Sequence, residues 1–215
     1  MSSIKMAKLD FLTAKNQAKG FIAAVLFIIV FLAFTSGSFL SVGITSAWVV
    51  ALFGTMTFMV QETNGLERFY NTVPMKIKDV VAGRYISTIA LYLATHLVSI
   101  VVFMVVALFS DIQISASDIA IGMSLSVLAF AVITAIQTPF FFKLGYMKGR
   151  LYSIVALMAM ILLFILPSFI PALAYPVELL AAAMSNYLPV VCLVIAAVVI
   201  YVSYRASIAA YVSKR

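Results

Sequence analysis

Apolar residues fall into six long runs, each free of Lys, Arg, Asp and Glu, with the charged residues gathered between them. The runs cover 20–39, 42–60, 85–109, 119–142, 151–173 and 187–204. A helix needs about 20 mostly apolar residues to cross the hydrocarbon core of a bilayer, so the pattern predicts an all-α membrane protein with six transmembrane helices. Only SGSFLSVG separates the first two runs. Its serines and glycines suit a tight turn, and the two spans are expected to form a hairpin.

The charges between the runs are one-sided. Lys5, Lys8, Lys15 and Lys19 precede the first run; Arg68, Lys76, Lys78 and Arg84 separate the second from the third. Lys143, Lys148 and Arg150 lie between the fourth and fifth, and Arg205, Lys214 and Arg215 follow the sixth. The alternate connections, around 36–42, 110–118 and 174–186, carry Asp111, Asp118 and Glu178 with no Lys or Arg. Basic loops stay on the cytoplasmic side during insertion, so both termini are expected there. Topology and contact with anionic headgroups then account for the net charge of +7, and no nucleic-acid partner is expected.

Composition agrees with the lipid assignment. With 65% hydrophobic residues and a mean hydropathy of +1.19, 215 residues carry more apolar surface than one water-soluble core of that size can bury. The basic start followed by an apolar run has no clear small-x-small cleavage site after Phe34 and reads as a retained span. Cys192, the only cysteine, falls inside the sixth run, which leaves no disulfide framework and no metal cluster to propose.

Outside the spans, Met6, Leu9, Thr13 and Gln17 interleave with lysines, predicting a short interfacial helix within residues 1–19; the bland reading is a basic tail that only sets topology. A second short helix is expected at the outer surface between the fifth and sixth runs, after Pro176. Gly122 and Ser126 form a small-xxx-small pair suited to close helix packing, and Thr134 and Gln137 can hydrogen-bond between helices. No linker divides the chain, so residues 1–215 are read as one domain.

Several chemistries find no support. The chain contains no Gly-Lys dipeptide and therefore no phosphate-cradling Gly-x-x-x-x-Gly-Lys-Ser/Thr loop, so it is not expected to hydrolyse nucleotides itself. The runs hold no charged residue away from their ends, which argues against an ion-coupled carrier or a charged-ring channel. His96 in the third run and Ser124 in the fourth are the components of a possible Ser-His dyad. Their bland reading is packing and interhelical hydrogen bonding.

The segment QETNGLERFYNTVPMKIKDVVAGRY holds seven charged residues where charge is otherwise sparse. Asn64-Gly65 can turn the chain, after which Leu66, Phe69 and Tyr70 share one helical face. Val73-Pro74 should break that helix, and a second helix with Lys76 and Asp79 at i and i+3 leads into the third run. The predicted shape is an elbow. Its aromatic tip could fill a cleft in a protein, because Phe and Tyr bring contact area at small entropic cost, or it could anchor at headgroup level.

ERFYNTVPMKIKDVVAGRYI resembles the loop after the second span in small permease subunits of ABC-2-type exporters, in the order of Glu67, Phe69, Pro74, Met75, Lys78, Asp79, Val80, Val81, Arg84 and Tyr85. Ile77 stands where Arg is frequent in that family, and Lys76 replaces the usual Ser. TPFFFKLGYMKGRLYSI is similar to the family's loop between spans four and five through Pro139, Lys143, Gly145, Lys148, Gly149 and Arg150.

The resemblance implies a permease, not an enzyme, in the cytoplasmic membrane of a bacterium. It implies an ATP-binding cassette ATPase as a separate partner that holds the ATP and Mg, and a second permease copy or paralogue. Leu66, Glu67, Arg68, Phe69, Tyr70 and Pro74, within a coupling loop at 61–84, would contact the ATPase. Lys143, Gly145, Tyr146, Lys148 and Arg150, in a second cytoplasmic loop at 143–150, would form an additional contact. Uncharged spans suit hydrophobic or amphipathic cargo such as peptides, drugs or lipids. A membrane scaffold without transport, and an intramembrane serine hydrolase, are the alternatives.

Overall fold

The computed structural model describes residues 3–65, 76–110, 115–169 and 187–214, and these are almost entirely α-helical. The helices are α1 (Ser3–Ser36), α2 (Phe39–Thr63), α3 (Ile77–Phe109), α4 (Ala116–Phe169) and α5 (Leu188–Lys214). Among the described residues, Phe39–Thr63, Ile77–Phe109, Ala116–Val155 and Leu188–Ser213 are long and apolar enough to cross a bilayer, and Ile22–Ser36 is a shorter apolar helix.

The predicted turn between the first two runs lies at Gly37 and Ser38. Gly37 takes φ 60°, a left-handed conformation that costs glycine little, and Phe39 opens α2 instead of closing α1. The α1 helix is continuous from Ser3, about 51 Å long at 1.5 Å per residue. The N-terminal segment is thus neither a separate interfacial helix nor a free tail. Met6 is 1% exposed, and an added Cβ on Gly83 would stand 2.6 Å from the Met6 Cβ and 2.8 Å from the Ser3 carbonyl. That approach docks the first turns of α1 on the first turns of α3. Ser3 also donates to the Asp79 carboxylate at 3.1 Å.

The 143–150 segment, expected as a loop, is helical except at Gly145, where φ 75° and ψ 179° break α4 into arms 116–144 and 146–169. The arms fold back on each other. The Phe140 and Tyr152 rings stack at 5.0 Å, although twelve residues of unbroken helix would set them about 18 Å apart. An added Cβ on Gly149 would meet the Phe141 ring at 2.7 Å, so the second arm crosses the first where it has no side chain.

Packing sorts the ends of the bundle. Met6, Phe58, Val80, Val81, Tyr85, Phe141, Phe142 and Tyr211 form one buried cluster, which brings the start of α1, the end of α2, the start of α3, the Gly145 turn and the end of α5 together. Val25, Ile29, Ala33, Phe39, Phe103 and Val106 form another at the opposite end. The basic segments therefore converge on one end, with the N- and C-terminal regions side by side. Between the two ends, Gly122 and Ser126 let α4 approach α2 closely, and Ser126 donates to the Gly43 carbonyl at 2.6 Å.

Thr134 and Gln137 are buried on α4, yet Thr134 Oγ1 and Gln137 Nε2 have no hydrogen-bond partner among the described residues. Ala51 and Gly54 of α2 and Thr88 of α3 line a cavity of about 10 Å³ beside them. The Ser-His dyad does not form either. Ser124 donates to the Ile121 carbonyl of its own helix at 2.8 Å, while His96 Nδ1 faces Ser46 Oγ at 3.3 Å and the His96 ring stacks on Tyr92. His96 is an interhelical hydrogen-bonder between α3 and α2.

Candidate functional site

The basic end holds a polar node built on Arg84, in the second turn of α3. Its side chain is 2% exposed, which demands partners because a buried cation without them is costly. Three residues on two helices supply them. Asp10 of α1 places a carboxylate oxygen 3.4 Å from Nη1; Gln61 of α2 accepts from Nη2 at 2.5 Å; the Phe58 ring of α2 lies 4.4 Å beneath the guanidinium carbon. This last contact is a cation–π arrangement.

Asp10 is itself buried and accepts from the Ser87 hydroxyl at 3.2 Å. Burial is the strongest influence on its carboxyl and pushes its pKa above the ordinary carboxylate value, while Arg84 and Ser87 pull it back. The ion pair thus fastens the start of α1 to α3 inside the protein.

One residue beyond Gln61, Glu62 turns toward the α4 break. Its carboxylate accepts the backbone N–H of Tyr146, the first residue of the second arm. Below this contact the Phe58 ring stacks on Phe141 at 5.0 Å and meets Phe142 edge-on at 5.2 Å. A cavity of about 20 Å³ lies among Phe58, Gln61, Glu62, Tyr146 and Tyr211, room for about one water molecule and too small for a cargo. A second cavity, of about 320 Å³, lies at the opposite end among Phe39, Phe103, Asp118 and Gly122.

Leu66, Glu67, Arg68, Phe69, Tyr70 and Pro74 lie outside the described residues. The residues flanking them are described, and both flanks enter the node: Gln61 and Glu62 before the segment, Arg84 after it. Of the other predicted contact residues, Lys143, Lys148 and Arg150 are exposed, Gly145 is the break itself, and Tyr146 is half-buried with its ring 6.3 Å from Phe141. Gly145 and Tyr146 join the node through Glu62. The three cations stand apart from it on the surface.

Sequence reasoning missed Asp10, Gln61 and Glu62 as members of this group. The available signal was that Asp10 is the lone acid in residues 1–36, followed by Glu62 as the next along the chain. Among the described residues no group of three or more His, Cys, Asp or Glu gathers that could hold a metal ion.

A family model described as ABC-2 family transporter protein matches residues 5–212. No curated protein and no solved structure matches the chain.

Proposed function

The chain belongs to the ABC-2 family of transporter proteins, a membrane permease family, and we propose that it forms the transmembrane half of an ATP-driven exporter. The energy source is a separate cassette ATPase that binds the ATP and Mg. A second permease, identical or paralogous, completes the pathway. The basic end faces the cytoplasm, where an anionic inner leaflet favours it, in a bacterial cytoplasmic membrane.

The observation that carries this reading is the family match over 5–212, which takes in the 66–75 segment and both of its flanks. A soluble motor can bias a membrane domain only through contacts that differ between its own states. Segment 66–75 supplies aromatic tips for such contacts, and the node provides a firm base behind them. Leu66, Glu67, Arg68, Phe69, Tyr70 and Pro74 are the gripping residues, with Lys143, Lys148 and Arg150 as a supporting basic rim. Mostly uncharged spans suit a hydrophobic or amphipathic cargo.

The test is co-purification with cassette ATPases from the same cells, followed by ATP hydrolysis in liposomes. Phe69→Ala with Tyr70→Ala should weaken association by about tenfold or more, as removal of aromatic anchors at an interface does. Unchanged association would reject the gripping assignment.

A further inference from the structure

We infer that Glu62 is the positioning residue that passes displacement of the end of α2 to the α4 hairpin; this rests on the motor-coupling reading above. Two observations concern this side chain and a third its neighbour. First, its carboxylate accepts the Tyr146 N–H across 84 residues of sequence. The first N–H groups of a helix have no partner within it, and negative charge is favoured there, so Glu62 of α2 caps the second arm of α4 from outside.

Second, the turn leaves room for that carboxylate. Gly145 has φ 75°, and a Cβ on it would stand 3.0 Å from Glu62 Oε2. Glycine is favoured by the backbone conformation, and its lack of a side chain leaves the acid room. Third, the neighbour Gln61 takes the other direction, accepting from Arg84 on the far flank of 66–75. The two consecutive side chains at the end of α2 thus divide the connections, Gln61 toward α3 and α1, Glu62 toward α4.

The two connections differ in kind. Arg84 is buried among an ion pair, a hydrogen bond and an aromatic face, whereas Glu62 is exposed and its carboxylate makes one polar contact among the described residues, with a backbone amide. A single solvent-accessible bond can break and re-form between two states, which a switchable connection requires. Gln61 with Arg84 is the fixed hinge; Glu62 with Tyr146 is the connecting rod.

Electron paramagnetic resonance distances test this on the chain assembled with its cassette ATPase in nanodiscs, in a Cys192→Ser background. Nitroxides at Asn64→Cys and Met147→Cys report the connection, since both positions are exposed; Asn64→Cys with Val212→Cys reports whether the flank moves at all. On trapping with ATP and vanadate, the 64–212 distance should shift while 64–147 stays fixed. Glu62→Ala should let 64–147 shift or broaden and lower ATP-dependent coupling at least about fivefold, read as the ratio of nucleotide affinities with and without the permease. Glu62→Gln keeps an acceptor oxygen and should restore the fixed distance, which loss of fold would not allow. A 64–147 distance that changes with Glu62 in place, or that stays fixed in Glu62→Ala, overturns the inference and leaves the motor reading standing. A 64–212 distance that never responds to nucleotide overturns both.

Discussion

Replacing Asp10 by Leu leaves the Arg84 guanidinium in a site where only 2% of its side chain meets solvent. Breaking a buried ion pair from one side costs about 3–5 kcal/mol, because the surviving charge keeps its desolvation penalty. Two features place this case at the lower end. The 3.4 Å separation is longer than the roughly 2.7–2.9 Å of a strong charge-assisted bond, and Arg84 keeps both Gln61 and the Phe58 face. A loss of about 3 kcal/mol is expected.

The reverse change, Arg84→Met, should cost less, about 1–2 kcal/mol. A buried acid can take up a proton and become neutral, and Asp10 still has the Ser87 hydroxyl. Asp10→Leu with Arg84→Met together should fall within about 1 kcal/mol of the native protein, since apolar side chains of similar volume often replace a buried pair without penalty. Unfolding in mixed micelles, followed by fluorescence of Trp48, the single tryptophan, measures all three. If the single effects add to within about 0.5 kcal/mol of the double, the residues do not act as a pair and the node is misread.

Two further outcomes follow from buried polar groups. Thr134→Val removes a hydroxyl that has no partner among the described residues and keeps the shape, so the unfolding midpoint should hold or rise, by up to about 1 kcal/mol; a loss above that would mean the hydroxyl is bonded. The raised pKa of Asp10 means the folded protein holds that proton at a pH where the unfolded chain has released it. This contribution is fully present below the unfolded value of 3.8 and is lost as pH rises through the raised one. Thermal midpoints measured upward from about pH 4 should therefore decline more steeply in the native protein than in Asp10→Asn, and parallel curves would refute the assignment.

The helices and the gathering of the basic segments at one end were legible because each rests on local information: run length sets a helix, and basic residues between runs mark an end. Gly145 was picked out for its place in a motif, but nothing local told that one residue would replace an eight-residue loop. That follows from Gly149 letting Phe141 cross it, a contact between arms. Asp10 was illegible for a similar reason. Its burial depends on Arg84, 74 residues away, and it stands in a stretch whose Lys5, Lys8 and Lys15 read as a surface. Thr134 and Gln137 misled because helical spacing shows which face a residue takes but not what waits opposite. Residues 66–75, where the sequence predicts an elbow, lie outside the described residues, and only their flanks show contacts.

The α1 and α3 helices run in the same direction and touch near both ends, Met6 against Gly83 at one and Ile29 and Ala33 beside Phe103 at the other. A pair of rods riveted at two points behaves as a single beam. Whatever tilts its basic end swings the far end by a comparable arc, without any relay of side chains in between.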